Sequence, residues 1–203
     1  MNELFEPIID GILNEGYGLT DNFLSADEVT TLASRLRQRR EAGQFKAAGI
    51  GNQQVKVEQT IRGDEILWLD EGTATAEETT FLKRVGSFVE YVNQTCYLGL
   101  RDYEFHYALY PPSTFYKRHL DQFRSDSRRK LSVICYLNTD WQETDGGQLA
   151  LYLPDADNNT ERQVTISPLG GRLVCFESAR LEHEVLPATR ERLSVTGWLK
   201  TNY

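Results

Sequence analysis

From Tyr103 to the C-terminus the apolar residues recur at every second position, and this alternation constrains the chain more than any other feature. Candidate strands fall at 104–110, 115–121, 130–138, 147–153, 162–167, 172–177, 183–187 and 192–200. Pro111-Pro112, Asp145-Gly146-Gly147, Asp155 to Asn159 and Gly170-Gly171 punctuate them as turns. Short strands at this spacing, preceded by helices, predict a mainly β member of the α+β class: a double-sheet jelly roll with helices packed outside.

The first half carries the helices. Leu4, Phe5, Ile8, Ile9, Ile12 and Leu13 sit at helical spacing over residues 2 to 15, and Gly16 follows as a stop. Tyr17 to Thr20 reads as a short extended piece. Ser25 to Glu28 and Thr75 to Glu78 are capping boxes, in which the hydroxyl and the carboxylate three residues on each satisfy a free backbone N–H. The first opens a helix to about Arg40 with Val29, Leu32, Ala33 and Leu36 in one stripe. The second opens a helix that buries Phe81, Leu82, Val85, Phe88, Val89 and Val92. Between them, residues 44–60 are polar and glycine-bearing, predicting a loop or hairpin, and IRGDEILWLD reads as a turn or strand.

At 203 residues the chain fits a single domain, 1–203, with helical support and a substrate loop over 1–102 and the jelly-roll core over 103–203. No apolar run reaches the roughly 18 residues that span a bilayer, so no membrane partner is expected. The acidic N-terminus is unlike a secretory n-region. Cys96, Cys135 and Cys175 are widely spaced in apolar segments, which suggests reduced thiols and a cytoplasmic location. A net charge of −8 argues against nucleic acid as the main partner. Arg35, Arg37, Arg39 and Arg40 read as a solvated helix face. Arg124, Arg128, Arg129 and Lys130 lie just downstream of the candidate site.

That site begins at His119-Leu120-Asp121. On an extended strand, side chains two apart share a face, so one imidazole and one carboxylate can reach the same point. His183 supplies a second imidazole from a distant strand. Two histidines and a carboxylate with open positions suit non-haem Fe(II), although this donor set alone leaves zinc open. Arg192, nine residues after His183, is a fixed cation able to hold a carboxylate with two parallel bonds. Strand alternation groups it with Ser194, Thr196 and Trp198, opposite Leu193, Val195 and Leu199. His106, on EFHYALY, reads as a packed or hydrogen-bonded residue. Trp68 and Trp141 read as core or edge packing, and Gly146-Gly147 as a turn.

DNFLS at Asp21, IRGDEILWLD, the YPP to YKRHLD stretch, YLNTDW, DGGQLALYLP and HEVLPATRERLSVTGWL occur in order along nearly the whole chain. Together they resemble the prolyl 4-hydroxylase-type 2-oxoglutarate/Fe(II)-dependent dioxygenases, and more closely the bacterial enzymes similar to the hypoxia-inducible-factor prolyl hydroxylases. The resemblance implies a double-stranded β-helix (jelly roll) in which His119, Asp121 and His183 bind Fe(II). It implies that Arg192, helped by Tyr136, grips the distal carboxylate of 2-oxoglutarate, and that Tyr110 and Thr196 line cofactor or water positions. Arg62, Asp64, Tyr116, Arg129 and Trp198 match positions near the substrate mouth. The catalytic set would be His119, Asp121, His183 and Arg192.

The implied reaction consumes 2-oxoglutarate and O2, releases succinate and CO2, and converts a prolyl residue of a protein to 4-hydroxyproline, with ascorbate as reductant. The implied bacterial target is a translation factor such as elongation factor Tu. Residues 44–64 could close over that peptide as a lid. A non-catalytic module sensing metal or 2-oxoglutarate, and an oxygenase acting on another residue type or on nucleic acid, are the competing readings. From the residues alone, a core-filling role for Tyr136 is the lesser alternative, and Arg62 and Asp64 could simply pair across a turn.

Overall fold

Both capping boxes form. The structure, a computed structural model, describes residues 2–49, 57–122, 125–155 and 160–202. Helix α1 (Asn2–Glu15) ends at Gly16, whose φ of 81° is open to glycine at little cost. Strand β1 (Tyr17–Thr20) leads to α2 (Ala26–Glu41), where Ser25 and Glu28 cap each other's backbone. Thr75 and Glu78 do the same for α3 (Ala76–Cys96). Glu78 is fully buried and also accepts from Arg39 at 2.8 Å, so this cap ties α3 to α2.

The periodicity-two half folds as strands. In chain order the strands after β1 are β2 (Lys46–Ala47), β3 (Glu65–Trp68), β4 (Leu100–Tyr110), β5 (Tyr116–His119), β6 (Arg129–Tyr136), β7 (Leu149–Asp155), β8 (Thr160–Ile166), β9 (Leu173–Glu177), β10 (Glu182–Val185) and β11 (Arg192–Thr201). They form a seven-stranded sheet, β1-β9-β6-β11-β4-β3-β2, facing a four-stranded sheet, β5-β10-β7-β8. All the paired strands among the described residues are antiparallel, as a jelly roll requires.

Alternation divides the labour of the large sheet. Phe105, Tyr107, Leu109, Leu193, Val195 and Leu199 point outward and pack with Phe5, Ile8, Leu32, Leu36, Phe81 and Phe88 of the helices. Each such fully buried side chain contributes about 1.5–3 kcal/mol relative to exposure. The opposite face turns Ile134, Tyr136, Val174 and Phe176 toward Leu149, Leu151 and Leu153 of the small sheet. The helices therefore brace one side, and the space between the sheets is left for the site.

Several expectations need correction. Leu13 shares the helical spacing of α1 but is 73% exposed, outside the stripe that packs on the sheet. The segment 115–121 does not stay extended: β5 ends at His119 and Asp121 lies in a bend. The arginine face of α2 is not merely solvated, because Arg40 pairs with Glu65 and Glu191 and Arg39 with Glu78. Within 44–64, Lys46–Ala47 pairs with β3, while residues 50–56 lie outside the described residues, as does Arg124 of the second basic cluster. Among the described residues, no helix is long and apolar enough to cross a membrane.

Candidate active site

His119 and His183 face each other across the small sheet, because β5 and β10 pair in the register His183↔His119. Their rings are 4.2 Å apart, and the bend after β5 swings Asp121 between them. His119 Nε2 lies 3.5 Å from Asp121 Oδ1, and His183 Nε2 lies 3.4 Å from Asp121 Oδ2. One ligand atom from each of the three residues can be chosen so that all three lie within 4.8 Å of one another. Donors ~2.1 Å from one ion and at right angles stand ~3 Å apart, so a small inward adjustment closes them on a metal.

The tautomers suit that task. His119 Nδ1 contacts the Lys117 carbonyl at 2.7 Å, and His183 Nδ1 the Leu181 carbonyl at 3.3 Å. A carbonyl only accepts, so each Nδ1 carries the hydrogen and each Nε2 keeps its lone pair. Burial pushes His183 down to about 4, against the pull of Asp121, so its imidazole is neutral near pH 7. Burial works to raise Asp121, but His183, His119 and the Ser132 hydroxyl outweigh it and hold the carboxyl well below the usual range. Ser132 Oγ donates to Asp121 Oδ2 at 2.7 Å and meets Ser178 Oγ at 2.8 Å, both serines being buried. Neither serine stands out in the sequence; only β6 and the turn before β10 bring them beneath the carboxylate.

Arg192 is 1% exposed, the largest fully buried side chain among those described. Its Nε donates to the Gly147 carbonyl at 2.9 Å, while Nη2 is buried with no partner among the described residues. Gly147, which the sequence offered only as a turn, has a φ of 68° and would set a Cβ 3.3 Å from Arg192 Cδ. Tyr110 stands opposite Arg192 in register, and the rings of Tyr110 and Tyr136 lie 5.2 and 5.0 Å from the guanidinium carbon. The Tyr136 hydroxyl is also buried with no partner in hydrogen-bonding geometry among the described residues, and burial raises its pKa against the pull of Arg192, so it remains a donor. Two unpaired buried donors beside each other are costly unless an anion accepts from them. A dicarboxylate such as 2-oxoglutarate fits that need.

Among the sequence candidates, His119, Asp121, His183, Arg192, Tyr110, Thr196, Arg62, Asp64, Tyr116 and Trp198 line one small cavity. Tyr136 lies beside Arg192, outside that lining. Arg129 is not among the lining residues: it stacks over Trp198, 3.5 Å from its ring, and pairs with Glu104. Arg62 and Asp64 do pair, at 2.6 Å, but as a nearly buried unit beside Tyr116 and not as exposed charges. His106, which its strand pattern marks only as a packed or hydrogen-bonded residue, also lines the cavity. Beyond the Arg62–Asp64 pair lies an open groove of about 480 Å³ lined by Phe45, Gln59, Pro111, Ser113 and Phe115.

Residues 105–200 match the model of the 2OG-Fe(II) oxygenase superfamily. The fold overlays a prolyl-4-hydroxylase of Pseudomonas putida with a TM-score of 0.86 and 41% identity, covering 98% of this chain and 100% of that one. A prolyl hydroxylase from Trichoplax adhaerens, solved with a peptide fragment of the hypoxia inducible factor oxygen degradation domain, gives a TM-score of 0.85 and 30% identity over 98% of this chain and 89% of that one. The chain belongs to the 2-oxoglutarate/Fe(II) oxygenases, a family that uses Fe(II), 2-oxoglutarate and O2, and within it to the prolyl 4-hydroxylase type. It is also 30% identical over 205 residues to the hypoxia-inducible factor prolyl hydroxylase of Caenorhabditis elegans, covering 95% of this chain and 28% of that protein. The chain spans between 28% and 57% of the length of its worm and mammalian relatives.

Proposed function

We propose that the chain hydroxylates a prolyl residue of a protein to 4-hydroxyproline, working as one unit from residue 1 to 203. His119, Asp121 and His183 hold Fe(II), and Arg192 with Tyr136 takes the distal carboxylate of 2-oxoglutarate. Tyr110 and Thr196 line the cosubstrate and water positions. Arg62, Asp64, Tyr116 and Trp198 border the incoming substrate, with Arg129 supporting Trp198. When bound, iron and the keto acid supply the oxygen chemistry, with one atom of O2 passing to substrate and the other to succinate. The chain orients these reactants and excludes water.

The observation that carries this reading is the pairing of an open three-ligand cluster with two buried, unpartnered donors, Arg192 Nη2 and Tyr136 Oη. A zinc hydrolase would have no use for the second part. The groove beyond Arg62–Asp64 has room for a polypeptide and supports a protein substrate. Free Cys96, Cys135 and Cys175 support a reducing, cytoplasmic setting.

The test is incubation with Fe(II), 2-oxoglutarate, ascorbate and a proline-bearing protein, elongation factor Tu being the first to try. Mass spectrometry is expected to find one added oxygen on a proline, with succinate in equal amount. Oxygen on another residue type rejects the prolyl assignment, and no succinate with any protein favours a sensing module. Ser132→Ala frees Asp121 Oδ2 from its donor and is expected to weaken Fe(II) binding by about 10- to 100-fold. Anaerobic metal titration checks this, and an unchanged affinity shows that the serine does not orient the carboxylate.

A further inference from the structure

His106 is placed where a chain of this kind would use it. Alternation along β4 turns Tyr110, Ala108 and His106 to the cavity, and the register sets His106 opposite Thr196 of β11 and Trp68 of β3. The ring is 1% exposed. It stands edge-on to Trp68 at 5.0 Å and tilted against Trp198 at 5.7 Å, so its orientation is fixed from two sides. Nδ1 contacts the Tyr107 carbonyl at 3.1 Å, so it carries the hydrogen and Nε2, at the far edge of the ring, keeps its lone pair. Burial, reinforced by Arg62, pushes the imidazole down to about 4. In neutral solution His106 therefore offers an acceptor.

Trp198 offers the complement. Its indole Nε1, which can only donate, is buried with no hydrogen-bond partner among the described residues. Arg129 stacks over the ring at 3.5 Å and holds it in place. An unpaired buried donor costs free energy until something accepts from it. A bare acceptor and an unpaired donor on neighbouring rings of one cavity suit a group that carries both functions.

We propose that His106 and Trp198 form a main-chain subsite for a residue next to the one hydroxylated: Trp198 Nε1 donates to its carbonyl and His106 Nε2 accepts its N–H. This rests on the reading of the chain as a protein prolyl hydroxylase. The N–H and C=O of one extended residue point to the same side, as in the hydrogen-bonded pairs of an antiparallel sheet, so a single residue can satisfy both rings. Proline has no N–H, so the target itself cannot serve and a flanking residue must.

The test uses a peptide that the wild-type protein hydroxylates and the same peptide N-methylated at the flanking residue. His106→Met keeps volume but removes the acceptor, and is expected to raise the KM for the parent peptide about tenfold. His106→Gln, which restores an acceptor oxygen, is expected to stay within threefold of wild type. N-methylation is expected to cost wild type about tenfold and the methionine variant almost nothing further, the non-additivity that marks one shared bond. Anaerobic affinities for Fe(II) and 2-oxoglutarate serve as the control and are expected within twofold of wild type. Equal N-methylation penalties in both proteins, or an unchanged KM in His106→Met, overturn the subsite while leaving the hydroxylase reading intact. A wild-type protein that oxidises no proline-bearing peptide removes that reading and the subsite with it.

Discussion

Replacing His183 by alanine is expected to abolish tight Fe(II) binding and, with it, turnover. β10 lies between β5 and β7, so the His183 imidazole is held by a strand paired on both edges. Phe176 presses its edge at 4.6 Å, and Leu181 fixes its tautomer. Removing it leaves one imidazole and a carboxylate, too few to compete with water for a ferrous ion. Changes one shell further out typically cost 10- to 100-fold in metal affinity, so loss of the ligand itself should exceed about 100-fold. Anaerobic Co(II) or Fe(II) titration measures it directly. His183→Gln, closer in shape, guards against a folding explanation and is expected to lose metal binding in the same way with a near-native melting transition. Affinity within about threefold of wild type in either folded variant would show that the cluster is not the metal site.

How much of this was legible in the sequence depends on whether a signal is local. The capping boxes are local: Ser25 with Glu28 and Thr75 with Glu78 each satisfy backbone groups three residues apart, and both helices start there. Strand alternation is also local, and it correctly separated the Arg192, Ser194, Thr196 and Trp198 face from the Leu193, Val195 and Leu199 face. What stayed hidden depends on register. Ser132 reaches Asp121 only because a bend follows β5, and Gly147 receives Arg192 only because its turn folds back on β11. His106 could be read as a satisfied core residue because one nitrogen does bond its own strand. Its other edge acquires meaning only once Trp198 is set beside it. Leu13 erred the other way, since periodicity marks a stripe without saying how wide the neighbour beneath it is.

Arg192 is where function and stability are expected to pull in opposite directions. The guanidinium is buried with one bond to Gly147 and an Nη2 that has no partner among the described residues. A buried cation that is incompletely paired lowers stability, and replacement of such groups by apolar residues of similar volume is often neutral or stabilising. Arg192→Met is therefore expected to leave the melting temperature of the cosubstrate-free protein unchanged or higher. The same substitution should weaken 2-oxoglutarate binding severely. Removing one partner of a buried, hydrogen-bonded charge pair costs about 2–5 kcal/mol, or roughly 30- to 4,000-fold in affinity. Metal affinity should stay within threefold, because the three ligands lie on β5, its following bend and β10, none of which depends on Arg192. Arg192→Lys separates charge from geometry: it keeps the cation but not the planar fork, and is expected to recover only part of the loss. Anaerobic 2-oxoglutarate titration of the metal-loaded variants, set beside thermal melts without cosubstrate, reads both effects. Wild-type cosubstrate affinity in a folded Arg192→Met protein would move the dicarboxylate elsewhere, and a large drop in melting temperature would mean that the guanidinium is there to hold the fold and not to await an anion.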